Sequence, residues 1–87
     1  MKISSGYLLR TIAGKNIVIS VNDNLNFNGM ITLNETGVFF WNLLQKNTTK
    51  TEMLEAILKE YDVSEKEASE DIDNFINKLR SANILED

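Results

Sequence analysis

Near residue 34 the hydrophobic period of this 87-residue chain changes from two to 3.6, which splits it into a strand-forming part and a helix-forming part. Before the change, Tyr7-Leu8-Leu9-Arg10-Thr11-Ile12 is rich in aromatic and branched residues, and Ile17, Ile19 and Val21 alternate around Ser20. Ala13-Gly14-Lys15-Asn16 between them offers Gly and Asn for a tight turn, so the two segments predict a hairpin. Residues 22–29 then read as a polar, Asn-rich loop, with Leu25 and Phe27 expected to pin it to the core. Met30-Ile31-Thr32-Leu33 predicts a short third strand.

After the change, three helices are expected, each with its own start signal. Asn34 is suited to cap the first, with Glu35 in the first turn where the helix dipole favours an acid. Val38, Phe39, Phe40, Trp41, Leu43 and Leu44 make this helix apolar around most of its girth, so it is expected to be central. In the Phe39-Phe40-Trp41 run, one of Phe40 or Trp41 is expected to be half exposed. Capping boxes at Thr49-Lys50-Thr51-Glu52 and Ser64-Glu65-Lys66-Glu67 open the second and third helices. The second should bury Met53 or Leu54, Ile57, Leu58 and Tyr61; the third should bury Ala68, Ile72, Phe75, Ile76 and Leu79. Asn83 tolerates a left-handed conformation and can end the third helix, letting Ile84-Leu85 fold back against it.

The order βββααα implies an α+β domain, because a sheet this small must lean on helices. Its three-stranded antiparallel β-sheet would be followed by three α-helices. The second and third helices form a winged helix-turn-helix-like pair with the N-terminal hairpin as wing. Residues 1–87 carry no linker or repeat that marks a boundary and read as a single domain. No stretch approaches the roughly 18–20 apolar residues of a membrane span, and a soluble cytoplasmic protein is expected.

Composition narrows the chemistry. The chain has no Cys and no His, so thiolate nucleophiles, imidazole bases and the common zinc and iron–sulfur ligand sets are excluded. A chain of this size also has little core to give up to a deep substrate cavity. A binding module without cofactor, metal or catalytic residues is expected rather than an enzyme. The carboxylates Glu60, Glu67, Glu70 and Asp71 read as a solvated face and as first-turn acids.

Charge bears on the winged-helix reading. Residues 1–46 carry net +2 and residues 47–87 net −6. From Glu60 to Asp73, where a recognition helix would meet DNA, seven acids face one base, Lys66. Such a surface repels phosphates, so no nucleic-acid partner and no membrane partner is expected. The third strand is the less ordinary feature: it has no Lys, Glu or Pro to discourage pairing, and an unprotected edge of this kind can accept an incoming strand.

Ile31-Thr32-Leu33-Asn34-Glu35-Thr36-Gly37, followed by Phe39-Phe40-Trp41 and Leu43-Leu44, resembles the start of the first helix in the PqqD-like family. The capped segment from Thr49 to Tyr61 and the stretch Asp71 to Leu79 with Ile84-Leu85 continue the resemblance, which spans about Gly6 to Leu85. Where the family usually has Gly after the last helix, this chain has Asn83. The resemblance implies a winged-helix recognition element of ribosomal peptide natural-product pathways. Such an element binds the leader segment of a precursor peptide and presents it to a modifying enzyme, often a radical S-adenosylmethionine (SAM) protein. It implies that the leader pairs with the third strand, along Met30, Ile31, Thr32 and Leu33, and that Asp71, Phe75, Lys78 and Leu79 line the adjoining groove. Ile31→Pro is expected to remove one N–H from that edge. The resemblance does not imply a role in pyrroloquinoline quinone synthesis specifically.

Two readings of other classes stand beside this one: a winged-helix DNA-binding regulator, and a dimerising structural adaptor in which the open edge pairs with its own copy.

Overall fold

The computed structural model describes residues 1–20 and 31–86. Val21 of the expected second strand, the Asn-rich segment with Leu25 and Phe27, and the first residue of the expected third strand, Met30, lie outside the described residues. The elements run β1 (Lys2–Ile3), β2 (Tyr7–Ile12), β3 (Lys15–Ser20), β4 (Ile31–Leu33), α1 (Glu35–Leu43), α2 (Lys50–Glu60), α3 (Glu65–Ser81) and β5 (Leu85–Glu86). The α+β architecture is as expected: β2, β3 and β4 form one antiparallel sheet in that order, and three helices follow.

The hairpin is tighter than its sequence suggests, because Lys15 and Asn16 belong to β3 and only Ala13-Gly14 turn. Both turn residues have positive φ, 52° and 79°, the signature of a type I′ turn whose twist matches that of the flanking strands. The turn also fixes the hydrogen-bond phase of the whole sheet. Ile12 and Lys15 close a two-residue loop and exchange both backbone bonds, and bonded pairs then alternate along the ladder. Lys15, Ile17 and Ile19 therefore bond β2, while Asn16 and Val18 turn their backbone groups to β4. Their partners there, Leu33 and Ile31, are bonded to β3, and Thr32, opposite Ile17, turns its N–H and C=O to the outer edge. This corrects the expectation for Ile31→Pro, since the N–H of Ile31 faces β3 and that of Thr32 faces outward.

Side chains alternate in the same register. Tyr7, Leu9, Val18, Ile31 and Leu33 point to the helices and join the core, whereas Leu8 and Ile12 on the other face are 42% and 52% exposed.

Each helix begins with the cap its sequence supplies. The Asn34 side chain accepts from the Gly37 N–H at 2.8 Å, Thr49 from Glu52 at 3.2 Å and Ser64 from Glu67 at 3.1 Å. The end of α3 is a Schellman motif: Ile84 donates to the Leu79 carbonyl, Asn83 donates to Arg80, and Asn83 sits at φ 58°. Leu79 and Ile84, the apolar pair that accompanies this motif, are both fully buried. Ile84 thus folds back as expected, but Leu85 goes further and pairs with Ile3 in a small β1–β5 sheet that the sequence reading lacks.

The core centres on α1 and α3. Phe40 and Phe75 pack with their rings tilted 52° to each other and their centroids 5.5 Å apart. Phe40 and Trp41 are both buried, so neither is the half-exposed aromatic; Phe39, the least buried of the run, is still partly buried and packs edge-on against Tyr61 at 5.4 Å. On α2 the buried residues are Met53 and Ile57, four positions apart on one stripe; Leu54 and Tyr61 are partly buried, and Leu58, off that stripe, is 37% exposed. Among the described residues no helix is long and apolar enough to cross a membrane.

Candidate functional site

A groove of about 480 Å³ runs between the outer edge of β4 and α3. One wall is Thr32, Leu33, Asn34 and Thr36; Gly37 and Phe40 of α1 lie at its base. Asp71, Asn74, Phe75 and Lys78 of α3 form the opposite wall. The α3 wall follows from helical geometry, because positions i, i+3, i+4 and i+7 lie on one stripe. The stripe tilts from the core outward: Phe75 is 8% exposed, and Asp71, Asn74 and Lys78 are exposed.

Five of the residues singled out in the sequence meet here: Thr32, Leu33, Asp71, Phe75 and Lys78. Ile31 belongs to β4, but its side chain packs against the core. Leu79 is fully buried under the groove and does not line it. Met30 lies outside the described residues. The sequence reading omits Asn34, Thr36, Gly37, Phe40 and Asn74. A signal for Asn74 was available, since it falls between Asp71 and Lys78 on the same helical stripe. Asn34 and Gly37 read only as cap and helix residues, and their second role emerges when β4 and α1 meet.

Three properties set what the groove can hold. Among the described residues, β3 is the only strand that pairs with β4, so the backbone of Thr32 is open on the groove side. The base and inner wall, Leu33, Phe40 and Phe75, are apolar. Asp71 and Lys78 supply opposite charges, and among the described residues neither forms an ion pair; the Lys50–Asp73 pair at 2.8 Å lies elsewhere, beside the N-terminal turn of α2. Among the described residues no group of three or more acidic side chains is placed to hold a metal ion. An open strand edge over an apolar base suits an extended polypeptide.

The fold is similar to that of a solved structure, TbiB1 in complex with the TbiA(beta) leader peptide, with a TM-score of 0.77 and 24% sequence identity over 99% of this chain and 95% of that one. No curated protein matches the chain by sequence. The family model for coenzyme PQQ synthesis protein D (PqqD) matches residues 17–85, from the middle of β3 into β5. That match takes in β4, all three helices and every residue lining the groove, and the chain belongs to the PqqD family.

Proposed function

We propose that the chain is a non-catalytic peptide chaperone. Residues 1–87 act as a single recognition domain that takes the leader segment of a ribosomally made precursor peptide as an added strand on β4. It presents that peptide, in the cytoplasm, to a modifying enzyme such as a radical SAM protein. The observation that carries this reading is the groove between the open edge of β4 and α3, with the backbone of Thr32 turned into it. Membership of the PqqD family supports it, as does the likeness to TbiB1, whose structure holds a leader peptide.

In this reading Met30, Ile31, Thr32 and Leu33 run beside the peptide backbone, and Asp71, Phe75 and Lys78 contact its side chains. Leu79 contributes from below by fixing α3 against the core. Main-chain bonds give affinity with little sequence demand, and the wall residues give selectivity. Micromolar binding, about −8 kcal/mol, is within reach of a short segment even after the ordering cost is met.

The test is a fluorescence-anisotropy titration of the full chain with leader segments encoded by short reading frames beside its gene. Saturable micromolar binding to one of them, and none to its scrambled sequence, is expected. A tight dimer in sedimentation that occludes β4 would instead favour the structural adaptor. Duplex DNA binding that weakens steeply with salt would favour the regulator.

A further inference from the structure

We infer that Asp71 and Lys78 form a two-ended charge filter, so that the groove accepts a strand carrying a basic and an acidic side chain on one face and in one direction only. This rests on the peptide reading above and adds to it which peptides are admitted. The two residues lie seven positions apart on α3, about 10.5 Å along the helix axis. Both are exposed, both line the groove, and among the described residues neither is paired with another side chain. Between them Phe75, with Phe40 beneath it, presents an apolar surface. The groove is therefore negative at one end, apolar in the middle and positive at the other.

An extended peptide rises about 3.3 Å per residue and shows alternate side chains to one face. Residues i, i+2 and i+4 of an added strand would face α3 and span about 13 Å. The flexible stem of Lys78 closes the difference from the helix spacing. The matching peptide has a charged residue, an apolar residue two positions on, and the opposite charge two positions beyond that. Reversing its direction would set Asp71 against an acid and Lys78 against a base. The filter thus fixes strand direction, which main-chain pairing alone leaves open, since a strand edge accepts parallel and antiparallel partners.

The experiment is selection of a displayed library of random 12-residue peptides against the full chain at low ionic strength, where exposed pairs are least screened. Selected peptides are expected to share the charged–x–apolar–x–oppositely charged pattern in either order, each order docking in the one direction that sets its base against Asp71 and its acid against Lys78. Lys78→Glu should weaken the best of them about fivefold to tenfold, and changing the peptide's acid to Lys should restore most of that loss. Asp71→Lys should behave in the mirrored way. Circular dichroism of both variants should be unchanged, because both positions are exposed on a helix. Binders without a shared charge pattern, or equal binding by Lys78→Glu, would overturn the filter and leave peptide binding intact. A library that yields no saturable binder to the unmodified chain would remove the peptide reading, and the filter with it.

Discussion

Thr32 and Ile17 stand opposite each other across β3 and β4 as a pair that shares no backbone hydrogen bond, because the Ala13-Gly14 turn sets the phase of the sheet. The neighbouring residues, Ile31 and Leu33, spend their backbone groups on β3. Proline at these adjacent positions therefore has opposite consequences. Thr32→Pro removes an outward N–H, a site where an edge strand tolerates proline. It should leave the urea midpoint near that of the parent and weaken leader binding at least tenfold. Ile31→Pro removes a ladder bond to Val18 and should cost about 1–3 kcal/mol of stability. Unchanged leader binding by Thr32→Pro would refute strand addition to β4.

Leu79 and Asn74 separate the two jobs of α3. Leu79 is fully buried, so Leu79→Ala leaves a cavity beneath the groove and should cost about 2–5 kcal/mol. Asn74 is exposed on the groove wall, and Asn74→Ala should change stability by less than about 0.5 kcal/mol. In the peptide reading Asn74→Ala still weakens leader affinity by several-fold, through a lost polar contact. Urea unfolding of both variants, with anisotropy on the folded one, checks the division.

What the sequence made legible was whatever a local signal specifies. Asn34, Thr49 and Ser64 announce their helices because a cap needs a side-chain acceptor at a fixed offset, and all three act as caps. Asn83 announces the end of α3 because few residues accept positive φ. The β1–β5 sheet was not legible: two residues per strand carry no periodicity, and the pairing joins opposite ends of the chain. The bonding phase of β4 was hidden too, since it depends on where the hairpin turns, and Lys15-Asn16 reads as turn although both residues belong to β3. For the groove, the α3 stripe showed in the spacing of Asp71, Phe75 and Lys78. The contribution of Asn34 and Gly37 depends on how α1 meets β4, which no local pattern encodes.

Ala13 occupies a conformation that its side chain disfavours. Its φ is +52°, in the left-handed region that costs an L-residue about 1–2 kcal/mol, and it is followed by Gly14 at +79°. Ala13→Gly removes that strain at the expense of some unfolded-state entropy, and Ala13→Asn gives the Asn-Gly pair that type I′ turns favour. Either should raise stability by about 0.5–1 kcal/mol, seen as a higher urea midpoint with an unchanged m-value. Asn83→Gly should gain less, because Asn already tolerates its φ of +58°.

Gly37 ties the cap of α1 to the shape of the groove. A Cβ built there would lie 3.2 Å from the Asn34 Oδ1 and 3.2 Å from the Leu33 Cβ. Neither neighbour yields readily. The Asn34 oxygen accepts from both the Gly37 N–H at 2.8 Å and the Thr36 hydroxyl at 3.1 Å, and Leu33 is anchored in the core at 5% exposure. Inside a helix, Gly→Ala ordinarily gains about 1 kcal/mol from propensity. Here the displaced cap, worth about 1 kcal/mol, and the shifted Leu33 should more than offset that gain. Gly37→Ala is therefore expected to lower the urea midpoint and to weaken leader binding by narrowing the base of the groove. A raised midpoint would show that the cap moves aside at little cost, and that Gly37 is not needed for the fit between β4 and α1.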